Sequence, residues 1–203
     1  MSKRFFTSDW HLGMQTLLNK NIMQDEVRPF KDIYEMNDFI IKSVNNQASE
    51  EDMIIHVGDL ACFNTDDKIK PAELLSKINA SVINIHGNHD TTNKVKSLCD
   101  SMRIKLGKKY TAVSISHYPT YDRRAQDQFL EGDIHICGHV HGRWKHCLDL
   151  THRCLNINVS LEAWNYKMLS EDQLIKYINK LLHLDKNSLN RVEVTSTGKV
   201  IRK

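Results

Sequence analysis

The chain has 203 residues, 40% of them hydrophobic, which is enough for one substantial core without metals or disulfides as staples. Its 28 basic and 25 acidic residues leave a net charge of +3, too balanced to indicate nucleic-acid binding by itself. No apolar run approaches the length of a membrane span, the first residues lack a secretory signal pattern, and the 5 cysteines form no Cys-x-x-Cys pair, so we expect reduced thiols in a cytoplasmic protein.

The first part of the chain is predicted to alternate strands with helices. Short apolar runs at residues 3–7, 53–57 and 82–86 indicate strands. Asp32 and Glu35 have the spacing of a capping pattern at the start of a helix. The apolar residues that recur on one face of this helix are Ile33, Met36, Ile40 and Val44.

Two further helices are predicted before the middle of the chain. Proline is tolerated in a first helical turn, so one helix is expected to begin near Pro71 and to run through Leu74, Leu75 and Ile78. The other is expected to begin at Thr91 or Thr92 and to carry Val95 and Leu98. Both would lie between strands, as in an alternating α/β fold.

The remainder of the chain is predicted to be mostly strands, followed by one helix. The β-rich runs lie at residues 109–116, 133–137, 143–148 and 153–159. Ser170 and Gln173 form a second capping pattern. The apolar residues of the helix that follows are Leu174, Ile175, Ile178 and Leu181. Residues 192–194 and 200–201 indicate a terminal hairpin, and we predict one α/β domain over residues 1–203.

Polar residues stand where five of the predicted strands end. In an α/β sheet, ligands bind outside the carboxyl ends of the strands, so such ends can converge. The residues with ligating side chains at these ends are Asp9, His11, Asp59, Asn88, His117, His139 and His141. Imidazole together with carboxylate suits divalent first-row metals, and the absence of thiolate donors argues against a purely structural zinc site.

The order of these motifs resembles the calcineurin-like metallophosphoesterase superfamily, in particular its small single-domain branch of bacteria and phages. The motifs are Asp-x-His at 9–11, Gly-Asp at 58–59, Gly-Asn-His-Asp at 87–90, His117, and Gly-His-x-His at 138–141. Residues 6–13 and 158–167 are also similar to that branch. Many relatives carry a second Asp three residues after the Gly-Asp carboxylate, and here that place is Cys62. The resemblance implies two stacked mixed β-sheets flanked by helices.

The resemblance also implies a phosphoesterase with two divalent metal ions, Mn²⁺ in the first place and Fe²⁺, Zn²⁺ or Ni²⁺ as alternatives. The ligands it implies are Asp9, His11 and His141 for one ion, Asn88, His117 and His139 for the other, and Asp59 as a bridge. Two dications and two carboxylates leave a charge of about +2, which attracts a phosphate group. Asn88 fits this logic because its amide oxygen binds a metal without cancelling charge.

His89 is the residue that we separate from the ligands. The family uses the equivalent histidine to protonate the leaving oxygen or to stabilise the transition state. Asp90 is expected to fix the tautomer of His89 and to raise its pKa. Arg123 and Arg124 are candidates, with Asn88 and His89, for contacts to substrate because arginine offers bidentate donors to phosphate. A solvated loop is the alternative interpretation of the two arginines.

Three functions remain open. The first is hydrolysis of small phosphate esters, in particular phosphodiesters of nucleotide type, without a membrane partner. The second is a DNA or RNA nuclease, because residues 7–13 also resemble the start of the double-strand-break repair nucleases, although the chain has no basic stripe. The third is a non-catalytic scaffold, which we disfavour because scaffold relatives lose ligand residues. The residues do not indicate an oligomeric state.

Other histidines and cysteines have simpler interpretations. His56, His86 and His135 precede their motifs on strands, where packing or hydrogen bonding to the ligands is the favoured role. A second zinc site is conceivable if two strands pair in the segment 146–154. Its ligands would be His146, Cys147, His152 and Cys154. Half-buried cysteines on a hairpin are the favoured alternative.

Overall fold

The computed structural model describes residues 2–20, 27–61, 70–92, 95–184, 189–194 and 200–202. Its strands are β1 (Arg4–Thr7), β2 (Met53–His56), β3 (Ser81–Asn84), β4 (Ser101–Leu106), β5 (Tyr110–Ser116), β6 (Ile134–Cys137), β7 (His146–Asp149), β8 (Cys154–Asn158), β9 (Leu169–Ser170), β10 (Arg191–Val194) and β11 (Val200–Arg202). Its α-helices are α1 (Ile33–Asn45), α2 (Pro71–Leu75), α3 (Asn88–Thr92) and α4 (Glu171–Leu182). Short 3₁₀ turns lie at Gln15–Leu18, Arg123–Ala125, His141–Arg143 and Leu161–Trp164.

The strands form two mixed sheets, as predicted. One sheet has the order β3-β2-β1-β9, in which β1, β2 and β3 are parallel and β9 is antiparallel to β1. The other has the order β11-β10-β7-β8-β6-β5-β4. In this sheet β6 lies between β5 and β8 and is parallel to both. Strand β4 pairs antiparallel with β5, and β7 pairs antiparallel with β8. The carboxyl ends of the central parallel strands supply the predicted ligands.

The sheets pack through side chains that alternate along the strands. Phe6 and Ile55 point into a cluster shared with Ile115, Ile136 and Ile157 of the other sheet. Their neighbours on β1 and β2 point to the opposite face and pack against the apolar stripe of α1, because side chains alternate with a period of two. Both central strands of the smaller sheet are therefore buried on each face, which fixes their register.

The two capping predictions are confirmed. The Asp32 side chain accepts a hydrogen bond from the Glu35 backbone at 2.9 Å, and α1 begins at Ile33. At the start of α4, Ser170 and Gln173 form the reciprocal pair of a capping box. The buried residues of α4 are Leu174, Ile178 and Leu181.

The helix predictions near the middle of the chain need correction. Helix α2 ends at Leu75, and the predicted helix through Val95 and Leu98 is wrong. Instead α3 begins inside the Gly-Asn-His-Asp motif, and Leu98 donates to the Asn84 carbonyl at 2.7 Å. The chain after α3 therefore returns alongside the end of β3, and Leu98 is 67% exposed. Strands β4 and β9 were not predicted.

The terminal hairpin is confirmed by the antiparallel pairing of β10 with β11. Within the described residues, no helix is long and apolar enough to cross a lipid bilayer. The four described cysteines, Cys99, Cys137, Cys147 and Cys154, are not in disulfides, and none of the metal-capable groups in the described residues includes a cysteine. Cys62 lies outside the described residues.

Candidate metal centre

The backbone adopts left-handed conformations at most of the predicted ligands. The residues concerned are Asp9 (φ 57°), His11 (φ 48°), Asp59 (φ 60°), His139 (φ 69°) and His141 (φ 48°). Such angles are uncommon for residues other than glycine and persist only where the surroundings enforce them. The Asp-x-His and His-x-His turns share this conformation at both ligand positions, so the two turns present their side chains in the same way.

The turns are held together by backbone hydrogen bonds and close packing. The Asp9 amide donates to the Gly58 carbonyl, and the His11 amide donates to the Asp59 carbonyl, both at 3.0 Å. A Cβ atom on Gly138 would lie 2.6 Å from Asp9 Oδ2, and one on Gly87 would lie 2.3 Å from Asp59 Oδ1. Only glycine, which has no Cβ atom, fits at these two positions.

The predicted ligands converge in two groups. Nε2 of His11 and Nε2 of His141 lie 3.7 Å and 3.8 Å from Asp9 Oδ1, and we call Asp9, His11 and His141 the Asp9 half. His117 Nε2 lies 3.2 Å from Asn88 Oδ1, and we call Asn88, His117 and His139 the Asn88 half. Asp59 stands between them, with Oδ2 3.6 Å from His11 Nε2 and 3.2 Å from His117 Nε2.

The donor set fits divalent metal ions. With ligand bonds of ~2.1 Å, two donors on one ion stand ~3.0–3.4 Å apart, close to the separations observed around Asp59. Both ring nitrogens of His11 are buried and have no hydrogen-bond partner among the described residues. A buried imidazole without a partner is costly, and a metal ion would satisfy it. The assignment of individual ligands stays a prediction.

The pKa values of His117 and His139 are shifted in opposite directions. Burial disfavours charge on His117, but its hydrogen bond to Asp59 and the charges of Asp59 and Asp9 raise its pKa to about 9. Burial, together with the charge of His117, lowers the pKa of His139 to about 4. Burial also acts against the Asp59 carboxylate, yet its His117 hydrogen bond and nearby imidazoles hold its pKa at about 2. The site therefore keeps Asp59 ionised, as a metal ligand requires.

Asp90 links backbone segments of the site. Its carboxylate is buried and accepts hydrogen bonds from the backbone amides of Asp59, Leu60 and Gly87 and from the Asn84 side chain, at 2.9–3.1 Å. Asp90 thus joins the two turns that carry Asp59 and His89. That it also orients the His89 imidazole stays a prediction.

His89 lies at the edge of the site. Its backbone amide donates to Asp59 Oδ1 at 2.8 Å, and its ring stands 5.1 Å from the ring of His11, edge to face. His89, His11 and Asp59 also form a group that could hold a metal ion. The structure thus brings His89 to the ligands, and either an acid or a ligand role is sterically available to it.

The two predicted arginines are placed differently. Arg124 forms a bidentate ion pair with Asp122, lies 4.1 Å above the Tyr118 ring, and approaches His139 Nε2 at 2.9 Å. Arg123 is exposed on the same 3₁₀ turn, and no side-chain contact to the described site residues is recorded for it. The geometry therefore connects Arg124, and not Arg123, with the Asn88 half.

The sequence did not reveal several residues that hold the Asp9 half. The hydroxyls of Ser8 and Ser160 donate to Asp9 Oδ2 at 2.6 Å and 2.7 Å, so Oδ1 is the atom that faces the imidazoles. Arg28 and Glu162 form a buried ion pair beside the same half. The sequence does not show these contacts, because all except that between Ser8 and Asp9 join residues far apart along the chain.

The remaining strand histidines pack as expected. His56 Nδ1 lies 2.8 Å from Asn84 Oδ1, and its ring meets that of Trp10 edge to face. His135 bonds the hydroxyl of Ser114 and the carbonyl of Tyr118, at 2.9 Å and 3.0 Å. These side chains support the strand ends.

Comparison with known proteins gives consistent matches. A model of the family described as Calcineurin-like phosphoesterase superfamily domain matches residues 7–158, which include every predicted ligand. The uncharacterized protein MJ1445 of Methanocaldococcus jannaschii is 31% identical over 188 residues, 89% of this chain and 93% of that protein. The Gene 66 protein of Mycobacterium phage L5 is 24% identical over 208 residues, 89% of this chain and 96% of that protein. The solved structure of AQ665, a protein of unknown function from Aquifex aeolicus, has a TM-score of 0.62 at 24% identity, over 87% of this chain and 100% of that chain.

Proposed function

Because the chain belongs to the calcineurin-like phosphoesterase superfamily, we propose that it is a metal-dependent hydrolase of phosphate esters, preferring phosphodiesters of nucleotide type. The observation that carries the proposal is the convergence of the Asp9 half and the Asn88 half on Asp59. The unpartnered, buried ring nitrogens of His11 add support, because a polar site of this kind needs a ligand.

Each half is proposed to hold one divalent ion, with Mn²⁺ as the first choice and Asp59 shared. Bound divalent ions would neutralise phosphate charge and acidify a water molecule for attack on phosphorus. The chain's own contribution is orientation. His117 Nδ1 lies 2.9 Å from the Val57 carbonyl and donates to it, so in the deprotonated form that would bind an ion its Nε2 lone pair points toward Asn88 and Asp59.

His89 is proposed to hold the proton that the leaving oxygen takes up. Its ring is partly exposed at the edge of the site, where a leaving group could depart toward solvent. The hydrogen bond from its backbone amide to Asp59 Oδ1 holds this turn beside the residue that both halves share. A positioned imidazole can transfer a proton in the transition state near neutral pH.

The preference for diesters rests on charge. A monoester dianion needs additional cations around its free oxygens, whereas a diester carries a single negative charge. Arg124 contacts the ring of His139, and its charge is already paired with Asp122 at 2.6 Å. Arg28 bonds the Asp9 carbonyl, and its charge is paired with Glu162 at 2.7 Å. The site thus offers little spare positive charge beyond the ions. Tyr118 and the guanidinium above it form a flat surface on which a nucleobase could stack.

A hydrolysis panel tests this proposal. Metal-stripped protein would be reconstituted with Mn²⁺, Fe²⁺, Zn²⁺ or Ni²⁺ and given a nitrophenyl phosphate, its bis-ester, linear and cyclic nucleotides, and DNA. We expect Mn²⁺ to restore activity and kcat/KM to be highest for a diester. A clear preference for the monoester would overturn the diester assignment, and DNA as the best substrate would favour the nuclease alternative. Absence of hydrolysis with every ion would overturn the proposal as a whole.

A further inference from the structure

Arg28 is a buried arginine that bonds the backbone of the Asp9 turn and the side chain of Glu162. Its side chain is 0% exposed, which is rare for arginine unless its charge is paired. One terminal nitrogen donates to the Trp10 carbonyl at 2.7 Å, and the other donates to the Asp9 carbonyl. Nε and Nη2 both donate to Glu162 Oε1, at 2.8 Å and 2.7 Å. Arg28 therefore joins the strained Asp9 turn to Glu162.

Glu162 continues this connection to His141. The same oxygen, Oε1, lies 2.9 Å from His141 Nδ1, which donates to it. A neutral imidazole with its proton on Nδ1 has its lone pair on Nε2, the atom that lies 3.8 Å from Asp9 Oδ1. The carboxylate thus selects the tautomer and the ring orientation that present His141 to the Asp9 half.

Resting on the proposed function, we propose that Arg28 and Glu162 are positioning residues that hold the Asp9 half in its ligating geometry before an ion binds. A buried ion pair adds little stability relative to apolar side chains of similar volume. The geometry that it fixes is therefore the better explanation of its presence. The pair reaches the Asp9 turn through Arg28 and the His141 ring through Glu162.

The Asn88 half has no equivalent support in the part of the chain that the structure describes. His117 is held by the backbone carbonyl of Val57, and His139 Nε2 meets Arg124, whose side chain is 47% exposed. Loss of the Arg28–Glu162 pair should consequently weaken one ion-binding step and spare the other. This asymmetry separates positioning from a general contribution to folding.

The test is a titration of metal-stripped protein with Co²⁺, followed by visible absorption, for wild type and Glu162→Gln. The substitution keeps the shape of the side chain and removes its charge. We expect one binding step to weaken by about 10–100-fold, with altered absorption bands, because partners of metal-binding histidines contribute that much to affinity. The control is Glu171→Gln, since Glu171 also accepts from Nε and Nη2 of an arginine, Arg4, at 2.7 Å and 2.6 Å, away from the site, although through both of its oxygens.

Arg28→Lys and its control Arg4→Lys form the second pair of variants. Lysine keeps the charge but cannot reach the Asp9 and Trp10 carbonyls and Glu162 together. Thermal unfolding without metal would be measured for all four variants. If Arg28→Lys does not fold, Glu162→Gln carries the test alone. Wild-type affinity and absorption in folded Glu162→Gln would overturn the proposal, and so would equal weakening of both steps.

The Co²⁺ readout separates this inference from the proposed function. Wild-type protein that binds Co²⁺ in two steps but hydrolyses no phosphate ester would overturn the proposed function and leave the positioning role to be decided by the variants. Wild-type protein that hydrolyses esters, with variants that bind Co²⁺ normally, would overturn the positioning role alone. Wild-type protein that binds no Co²⁺ would overturn both.

Discussion

The two halves of the metal centre are held in different ways. In the Asp9 half, the Asp9 carboxylate accepts hydrogen bonds from two serine hydroxyls, and His141 donates to the carboxylate of Glu162, which is paired with a buried arginine. In the Asn88 half, His139 meets the side chain of Arg124 on an exposed 3₁₀ turn. One half is built on buried ionic contacts, and the other borders a surface loop.

This difference suggests a division of labour. Buried, fully bonded supports preorganise a ligand set and keep its members in one geometry. A half that borders an exposed loop can adjust to what binds there. We therefore expect the Asp9 half to retain its ion more tightly and the Asn88 half to respond more to substrate. Each of the following predictions breaks or sharpens this comparison.

Removing the residue that both halves share should have the largest effect. Asp59→Ala is expected to lower kcat/KM by ~10⁴-fold or more, because each ion contributes several kcal/mol and about 1.4 kcal/mol is tenfold in rate. Binding of Mn²⁺ would be measured by calorimetry beside activity. The matched control is Asp133→Asn, which removes an aspartate paired with Arg103 outside the site. Two bound ions and wild-type turnover in Asp59→Ala would refute the shared role.

The acid role of His89 predicts the next largest effect. His89→Asn is expected to lose turnover by about 10²–10⁴-fold while both Co²⁺ steps remain. The loss should shrink with a nitrophenolate leaving group, which needs little protonation. If the variant instead failed to bind one of the two Co²⁺ ions, His89 would be a metal ligand together with His11 and Asp59. The acid assignment would then fail.

Acid should destabilise the fold at His135, on the strand that leads to His139, while the Arg28–Glu162 pair persists. Burial lowers the pKa of His135 to about 4 from an ordinary value of 6.5, so between these values the unfolded chain binds a proton that the folded chain does not. Stability is thus full above pH 6.5 and decreases toward pH 4, by about 3 kcal/mol for this group. Burial disfavours the Glu162 carboxylate, but Arg28 and His141 hold its pKa at about 2, so that ion pair persists.

Urea unfolding at several pH values between 4 and 7 measures this effect. His135→Gln should have a shallower decrease in unfolding free energy toward acid pH than wild type. The control His183→Gln changes an exposed histidine at the end of α4 and should retain the wild-type slope. An unchanged slope in His135→Gln would show that other groups determine the acid sensitivity.

Arg124 should give the smallest effect. Arg124→Gln is expected to raise KM by about tenfold with kcat nearly unchanged, because an exposed, already paired arginine contributes a modest charged hydrogen bond. The control is Arg153→Gln, an exposed arginine that pairs with Glu131 at 2.6 Å. Steady-state kinetics on a diester substrate distinguishes the two. A loss confined to kcat would contradict a role in substrate binding.

Much of the fold could be predicted because its signals are local. The capping pairs at Asp32 and Ser170 and the alternation along β1 are each encoded within a few residues. The helix predicted after the Gly-Asn-His-Asp motif failed for the opposite reason. The Leu98 amide is satisfied by Asn84, and Cys99 pairs with the end of β3, so a non-local bridge replaced local helical bonds.

The candidate site divides along the same line. The turns at residues 9–11 and 138–141 could be recognised because each carries its polar side chains after a short apolar run. The Arg28–Glu162 contact could not, since it joins residues 134 positions apart and no local pattern pairs them. Asp90 shows a third case, in which the sequence places a residue correctly but leaves its partners undetermined.

The pairing of β1 with β9 has a consequence for the order in which the molecule is made. Synthesis releases Asp9 and Arg28 early, whereas Glu162 and the β9 partners of Phe5 and Phe6 emerge much later. Until then, Arg28 lacks its ion-pair partner Glu162, and the edge of β1 that pairs with β9 has no hydrogen-bonding partner strand. Contacts between such distant positions form slowly, and exposed edges invite aggregation. We expect the nascent chain to need protection on the ribosome until the residues around 170 have emerged.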